Sequence, residues 1–224
     1  MGSLGGTILP VNMVVIGPPG AGKGTQAARI AAKRGVPKIS TGDMLREAIQ
    51  EGSELGLRTK PVIERGELVS DDVMTGMVEQ RLDRPDARRG FILDGFPRTV
   101  AQAKALDRIL TGRDPLIIVE IGVPHDELIR RMASRRICRS CGATAEPGDA
   151  TCRRCGGELV LRPDDERADV RERRLQVYRR DTEPIVSYYR DRPTFRFVDG
   201  AQSPDRVTED ISAAIDSALE TTGS

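Results

Sequence analysis

Short apolar runs recur along the chain and are separated by longer amphipathic stretches. Five of these runs are typical of buried strands, at residues 13–16, 36–39, 90–94, 115–121 and 194–198. Between them, apolar residues recur with helical spacing at residues 26–33, 73–82, 100–110 and 204–219. Strands that alternate with helices predict an α/β fold, with a five-stranded and mainly parallel sheet covered by helices on both faces.

A polar helical stretch at residues 44–63 interrupts this alternation. The side chains of residues 40–43 are capping types, so they predict a helix that begins near residue 44. Gly52, Gly56 and Pro61 divide the stretch into short pieces. The pattern therefore predicts a small helical insertion and not a long core helix.

A glycine-rich loop from Gly17 to Thr25 joins the first predicted strand to the first predicted helix. Glycines let several backbone N–H groups converge on one anion, and the helix N-terminus adds about half a positive charge. Lys23 supplies a full charge for the β- and γ-phosphates of a nucleotide. The stretch predicts a phosphate-binding P-loop, the alternative being a strand-to-helix turn that binds nothing.

The loop departs at one position from the pattern G-x-x-x-x-G-K-[ST]. Gly24 stands where the magnesium-binding hydroxyl is expected, and Thr25 comes directly after it. We therefore expect Mg²⁺ to have fewer protein ligands and to depend more on water and nucleotide oxygens. Asp94 ends the third predicted strand at the same edge of the sheet, which predicts a place beside the metal. The alternative for Asp94 is a turn or helix-cap residue.

The composition fits one ordinary α/β domain with small insertions, since the chain has 224 residues. Lys and Arg number 35 against 34 Asp and Glu, so no broad basic field indicates nucleic acid or an anionic membrane. No apolar run approaches the roughly 18 residues that cross a bilayer, and the first residues do not form a signal-peptide pattern. We expect a cytoplasmic protein in which residues 1–10 are a loose leader.

The four cysteines form two C-x-x-C pairs, separated by ten residues and each followed by glycine. Two such tight turns point sulfurs inward, and four thiolates complete the tetrahedral shell of a structural Zn²⁺. A disulfide or an empty thiol cluster is the weaker alternative in a cytoplasmic protein. The predicted metal ligands are Cys138, Cys141, Cys152 and Cys155.

Taken together, the motifs resemble the adenylate kinases of the zinc-bearing, long-lid type, within the nucleoside monophosphate kinase family. The resemblance covers residues 12–220 and rests on the glycine loop, residues 40–46, residues 94–99 with Gln102, and the pair Arg135 and Arg136. It implies a monomeric P-loop enzyme of nucleotide homeostasis that converts ATP and AMP into two ADP with Mg²⁺. The implied units are a core of residues 1–39, 70–133 and 172–224, an AMP-binding helical insertion of residues 40–69, and a zinc-bearing lid of residues 134–171.

The resemblance also implies the site residues. The ATP-binding residues are Gly20, Ala21, Gly22, Lys23, Gly24, Thr25, Arg131, Arg135, Thr144, Ala145 and Gln202. The AMP-binding residues are Thr41, Arg46, Glu67, Leu68, Val69, Gly95, Phe96, Pro97, Arg98, Gln102, Arg162 and Arg174. The catalytic residues are Lys23, Asp94, Arg98, Arg135, Arg162 and Arg174.

Three of these assignments carry a physical expectation of their own. Arg131 and Arg135 are four residues apart, so we expect them to share a helix face, with Arg131 on adenine and Arg135 on phosphate. One arginine after the lid is implied to bridge the two substrates. Its position in the family pattern matches Arg173 when residues are counted forward from Asp165, and Arg174 when they are counted back from residues 182–184. Gln102 can pair with an adenine edge through one acceptor and one donor.

Two other functions remain open from the sequence. A UMP or CMP kinase of the same family is the nearer one, although Thr99 and Gln102 favour AMP. A zinc-ribbon protein that binds nucleic acid is the other, because arginines flank the cysteines. The balanced charge and the small number of aromatic residues available for base stacking count against it.

Overall fold

The computed structural model describes residues 11–146 and 148–222. The expected leader at residues 1–10 lies outside this range. The strands are β1 (Asn12–Ile16), β2 (Lys38–Ser40), β3 (Phe91–Asp94), β4 (Leu116–Gly122), β5 (Arg136–Cys138), β6 (Leu159–Leu161) and β7 (Phe195–Asp199). The helices are α1 (Lys23–Arg34), α2 (Thr41–Gln50), α3 (Glu54–Glu64), α4 (Asp71–Leu82), α5 (Val100–Ile109), α6 (His125–Ala133), α7 (Pro163–Glu166), α8 (Ala168–Val177), α9 (Pro184–Tyr189) and α10 (Pro204–Thr222).

The central sheet has the strand order β2-β3-β1-β4-β7, and each pair of neighbours is parallel. Alternate residues of β1 face opposite apolar layers: Met13 and Val15 pack on one side, and Val14 and Ile16 on the other. Helices α1 and α10 cover the first layer, and α4, α5 and α9 cover the second. The predicted five-stranded parallel sheet with helices on both faces is confirmed.

The polar helical stretch differs from its prediction in two ways. Helix α2 begins at Thr41, because the Ser40 hydroxyl caps it by accepting the Asp43 N–H at 3.3 Å. The helix ends at Gln50, before the left-handed Gly52, as the glycine predicts. The expected breaks at Gly56 and Pro61 are wrong, since α3 runs through both.

Packing between α2 and α3 explains the unbroken second helix. A Cβ atom on Gly56 would lie 2.1 Å from the Ala48 carbonyl oxygen, so glycine is what allows the two helices to approach this closely. The contact orders the residues on both sides of Gly56. A proline inside a helix costs about 3 kcal/mol, and here tertiary packing outweighs that cost at Pro61.

An antiparallel hairpin carries the four cysteines. Strands β5 and β6 pair from Arg136 with Leu161 to Cys138 with Leu159, and the connection between them holds both C-x-x-C turns. We call residues 136–161 the cysteine hairpin. Among residues 11–146 and 148–222, no helix has both the length and the apolar character needed to cross a bilayer.

The parallel order of the sheet determines where the functional segments meet. The glycine loop comes after β1, the start of α2 comes after β2, and the turn at residues 95–98 comes after β3. The carboxyl ends of parallel strands lie at one edge of a sheet, so these three segments converge there.

Candidate active site

A cleft of about 770 Å³ opens at the carboxyl edge of the sheet. It is lined by the glycine loop, the start of α2, residues 66–69, the turn after β3 and several arginines from residues 131–174. Every residue that the sequence predicts to bind nucleotide or to act in catalysis lines this cleft, with the exception of Phe96. The Phe96 ring is 1% exposed and packs in the core, so this side chain supports the turn from behind.

The glycine loop is built around positive φ angles. Gly17, Gly20 and Gly22 have φ of 152°, 88° and 91°, a region that other residues rarely adopt. A Cβ atom on Gly17 would lie 2.5 Å from the Ile121 carbonyl oxygen, which also excludes larger residues there. The loop thereby places the start of α1 and its unpaired N–H groups at the cleft.

Lys23 lies across this loop and is held by backbone carbonyl groups. Its Nζ donates hydrogen bonds to the carbonyl oxygens of Gly17 at 2.8 Å and Pro18 at 2.9 Å. Burial lowers the pKa of Lys23 to about 7, and the neighbouring Asp94 partly opposes this change. An anion bound at the loop would therefore stabilise the ammonium form.

Asp94 fits the role of a magnesium ligand. Its side chain is 14% exposed, and a Cβ atom on Gly24 would lie only 3.2 Å from its Oδ2 atom. The missing side chain at position 24 thus leaves open the space between the loop and a carboxylate oxygen, which is the ligand type that Mg²⁺ prefers. Lys38 also faces this space, with its Nζ 3.9 Å from Asp94 Oδ2. Sequence reasoning missed Lys38, because nothing in its local sequence marks it.

Another part of the cleft lining is organised around the Gly95 carbonyl oxygen. The Thr41 hydroxyl donates to it at 2.9 Å and Arg98 Nε donates at 2.8 Å. Arg46 pairs with Asp43 beside them. Burial, followed by the nearby Arg174, lowers the pKa of Arg98 to about 10. Arg98 stays charged near neutral pH, and a bound anion would offset the desolvation of its guanidinium group and the repulsion from Arg174.

Three arginines of the second half share two aspartates. Arg162 donates to Asp164 at 2.8 Å, Arg174 donates to Asp164 at 2.9 Å and to Asp165 at 2.5 Å, and Arg135 donates to Asp165 at 2.6 Å. Although burial opposes ionisation, Arg162 and Arg174 hold the pKa of Asp164 well below its usual range. Burial and Arg162 lower the pKa of Arg135 to about 9. Asp164 and Asp165 therefore place the guanidinium groups, a role that sequence reasoning missed although both stand close after Arg162.

The structure distinguishes the two candidate bridging arginines. The Arg174 side chain is 14% exposed and lines the cleft, whereas that of Arg173 is 52% exposed and lies 3.6 Å from Glu67. The helical segment breaks at Arg167, between α7 and α8, where the backbone is extended. This break lies between the two markers used for counting, and so does the π-helical segment Tyr178–Thr182.

The expected common helix face of Arg131 and Arg135 is wrong. Helix α6 ends at Ala133, so Arg135 lies beyond it and leads into β5. Arg131 remains on the helix, where Nε donates to Glu127 at 2.6 Å. Both arginines still line the cleft, together with Thr144, Ala145 and Gln202.

Gln102 is almost fully buried, at 1% exposure. Its Oε1 accepts the Arg98 backbone N–H at 2.7 Å, and its Nε2 donates to Asp71 Oδ1 at 2.7 Å. Half of its hydrogen-bonding capacity is therefore used within the protein. Asp71 has no sequence signal of its own beyond a helix start.

The cysteine hairpin brings the four predicted metal ligands together. Their sulfur atoms all lie within 4.8 Å of one another, and the closest pairs are 3.5 Å apart, too far for a bond of about 2.05 Å. Four thiolates at about 2.3 Å from one Zn²⁺ would have sulfurs about 3.8 Å apart, so the cluster fits this metal. The Cys141 backbone N–H donates to Cys138 Sγ and lowers the pKa of that thiol, whereas hydrogen bonding to Cys138 raises the pKa of Cys155, so the first proton leaves the pair from Cys138.

A P-loop and a set of buried arginines that line one cleft are typical of the P-loop phosphotransferases, which include the nucleotide-binding kinases. The adenylate kinase family model matches residues 15–194. The chain is 48% identical over 214 residues to the adenylate kinase of Archaeoglobus fulgidus, covering 92% of this chain and 98% of that protein. It is 46% identical to that of Methanocella arvoryzae and 47% identical to that of Moorella thermoacetica, each with 92% and 98% coverage. The chain belongs to the adenylate kinase family.

Proposed function

We propose that the protein catalyses reversible phosphoryl transfer from ATP to AMP, giving two ADP. The observation that carries this proposal is that one cleft is lined both by the glycine loop with Lys23 and by a cluster of buried arginines whose charges act on Lys23. The glycine loop, Lys23 and Arg135 would hold the donor phosphates, and Arg46 and Arg98 would hold the acceptor phosphate. A kinase that joins two nucleotides needs this arrangement, because donor and acceptor phosphates have to meet between the two sites.

The donor site is assigned to the glycine loop, to Arg131 on α6 and to residues that come after this helix. The loop N–H groups and Lys23 would hold the ATP phosphates, with Arg135 reaching them from the other side. Arg131 would stack on adenine through its planar guanidinium. The remaining donor contacts are assigned to Thr144, Ala145 and Gln202, which line the same cleft.

The acceptor site is assigned to the start of α2, residues 67–69 and the turn after β3. Arg46 and Arg98 would bind the AMP phosphate, since guanidinium groups are bidentate donors to phosphate. Arg162 and Arg174 would bridge the two nucleotides. The other acceptor contacts are assigned to Thr41, the segment from Glu67 to Val69, the turn at Gly95, Pro97 and Gln102, with Phe96 as a packing residue behind that turn.

The reaction requires the protein mainly to position the two nucleotides and to neutralise their phosphate charges. The acceptor phosphate oxygen attacks the γ-phosphorus of ATP, the bond from that phosphorus to the β–γ bridging oxygen breaks, and ADP leaves. Arg98, Arg135, Arg162, Arg174 and Lys23 would neutralise the transferring group and keep both nucleotides in line. Mg²⁺ bound beside Asp94 would supply further charge on the β- and γ-phosphate oxygens.

Three units would move against one another during this reaction. We assign the core to residues 1–39, 70–133 and 172–224, the AMP-binding insertion to residues 40–69, and the lid to residues 134–171. Closure of the insertion and the lid would exclude the water that otherwise accepts the phosphoryl group. Zn²⁺ on the four cysteines would hold the lid in its fold and take no part in the chemistry. We assign the protein to the cytoplasm as a monomer acting on ATP, AMP and ADP.

The test is ADP formation from Mg²⁺ and ATP with each of AMP, UMP, CMP and GMP. We expect rapid turnover with AMP and little with the other three. If UMP or CMP is the preferred acceptor, the assignment of AMP to the acceptor site is wrong, and the assignment of ATP to the donor site is unaffected. No turnover with any acceptor would contradict the proposed function as a whole.

A further inference from the structure

Asp71 joins the first turn of α4 to the start of α5. Its Oδ1 accepts a hydrogen bond from Gln102 Nε2 at 2.7 Å, and its Oδ2 accepts one from the Thr99 hydroxyl at 2.9 Å. Thr99 in turn caps α5 by accepting the Gln102 backbone N–H at 3.1 Å. One carboxylate therefore has a partner for each oxygen, and only one of these partners is a cleft-lining side chain.

These contacts allow only one orientation of the Gln102 amide. A carboxylate such as Asp71 only accepts hydrogen bonds, so the group that faces it has to be the NH₂. The Arg98 backbone N–H only donates, so the group that faces it has to be the amide oxygen. A flipped amide would set oxygen against the carboxylate and NH₂ against N–H, which loses both bonds and leaves buried polar groups unpaired.

The orientation of the Gln102 amide decides which of its hydrogen-bonding groups are available to a nucleobase. A glutamine amide has two N–H donors and two oxygen lone pairs, and one of each is used within the protein. One donor and one acceptor remain for a nucleobase. Adenine offers an amino donor at N6 beside an acceptor at N1, whereas hypoxanthine offers an acceptor at O6 beside a donor at N1. The same amide in a fixed orientation therefore matches only one of these two edges.

We propose that Asp71 is a positioning residue that sets the selectivity of the acceptor site for adenine by fixing the amide of Gln102. This inference rests on the proposed function, in which Gln102 faces the acceptor base. Asp71 acts through Gln102 and does not touch the substrate. Its contribution is selectivity between bases, not transfer of the phosphoryl group.

The test compares kcat/KM for AMP with kcat/KM for IMP, with Mg²⁺ and ATP, in matched variants. Asp71→Ala removes one of the two contacts that orient the amide and leaves only the Arg98 N–H, and we expect the AMP to IMP ratio to fall about ten-fold, chiefly through KM for AMP. Asp71→Asn keeps an oxygen for Gln102 Nε2, while its NH₂ can donate to the Thr99 hydroxyl. We expect this conservative variant to keep the ratio within about two-fold.

Thr99→Val is the matched structural control. It removes the other bond of Asp71 and weakens the cap of α5, and leaves both bonds of the Gln102 amide in place. We expect a lower melting temperature with an unchanged ratio. If Asp71→Ala folds and keeps the ratio within about two-fold, Asp71 is only structural and the proposal is overturned.

Two further measurements keep the outcome clear. The first is Gln102→Met, which removes the amide. If the AMP to IMP ratio stays unchanged in this variant, both the assignment of Gln102 and this proposal are overturned. The kinase function is tested separately, by AMP turnover of the unmodified chain. If Asp71→Ala does not fold, side-chain NMR of the unmodified chain decides. We expect the two Nε2 protons of Gln102 to exchange with solvent at different rates, because only one is bonded to Asp71. Equal rates would overturn the proposal.

Discussion

Arg29 on α1 and Glu146 in the cysteine hairpin form a two-point ion pair. Arg29 Nε lies 3.1 Å from Glu146 Oε1, and Nη2 lies 2.9 Å from Oε2. The two residues are 117 positions apart in the chain, and their side chains are only 26% and 24% exposed. A partly buried bidentate pair is worth more than a surface contact, so it links the proposed lid to the core.

We expect Arg29→Ala to loosen the cysteine hairpin without unfolding the core. Hydrogen exchange of residues 136–161 should become faster, and KM for ATP should rise a few-fold. A double-mutant cycle with Glu146→Gln should give a coupling free energy between the two residues of about 0.5–1 kcal/mol, and this energy should fall as salt is added. Asp205→Asn is the control, because it removes the other carboxylate partner of Arg29, which lies on α10 and not in the hairpin. Unchanged hairpin exchange in Arg29→Ala would show that the pair does not restrain the hairpin.

The second prediction concerns Lys23 and pH. The pKa of Lys23 is lowered to about 7, below the usual value near 10.4, so the folded chain holds fewer protons than the unfolded chain between these values. This group therefore makes stability rise as pH rises from about 7 to about 10. ATP phosphates favour the ammonium form, so ATP binding at pH 8 should take up about one proton.

Calorimetry of ATP binding in two buffers with different ionisation enthalpies measures this proton uptake directly. Lys23→Met should abolish the uptake. Lys33→Met is the matched control, since Lys33 lies on the same helix but donates to Ser212, away from the cleft, and should leave the uptake unchanged. A binding enthalpy that is the same in both buffers for the unmodified chain would contradict the lowered pKa.

The fold was predictable from the sequence because its signals are local. Buried parallel strands are continuous apolar runs, and the glycine loop carries its positive φ requirement in its own residues. The course of α3 through Gly56 and Pro61 was not predictable, because it depends on the contact of Gly56 with Ala48 in another helix. The end of α6 before Arg135 likewise depends on the hairpin next to it in the chain.

The candidate site was predictable as far as it consists of motifs. Arg98 and Lys23 stand within short patterns, and both lie in the cleft as expected. Asp71 and Lys38 belong to no pattern, and their contacts with Gln102 and Asp94 join residues 31 and 56 positions apart. Such contacts depend on the packing of whole elements, which a single sequence does not display. The same holds for the distinction between Arg173 and Arg174, which depends on the different exposure of their side chains in the packed structure.

The third prediction concerns Asp165, whose side chain is 1% exposed. Asp165→Asn would leave Arg135 and Arg174 in a buried cluster without their shared counter-charge, so we expect a loss of roughly 3–5 kcal/mol in the free energy of unfolding. ATP should restore part of this loss, because its phosphates replace the missing negative charge. Urea denaturation with and without ATP gives both values.

Asp169→Asn provides the comparison for Asp165, since Asp169 pairs with Arg167 at the surface of the same segment. We expect this variant to leave the free energy of unfolding nearly unchanged, because exposed ion pairs contribute little to stability. Equal losses in the two variants would show that Asp165 does not compensate the buried arginines.

The last prediction concerns the four cysteines. We expect about one zinc per chain by native mass spectrometry, and Cys152→Ser should remove it, while Ser140→Ala in the neighbouring turn should retain it. Gradual chelation should lower the melting temperature before it abolishes ADP formation, because the proposed Zn²⁺ would order the hairpin and would not contact the phosphates. A chelated sample that is still folded at the assay temperature should therefore keep turning over. Complete loss of activity in that folded sample would mean that the metal acts in the chemistry itself.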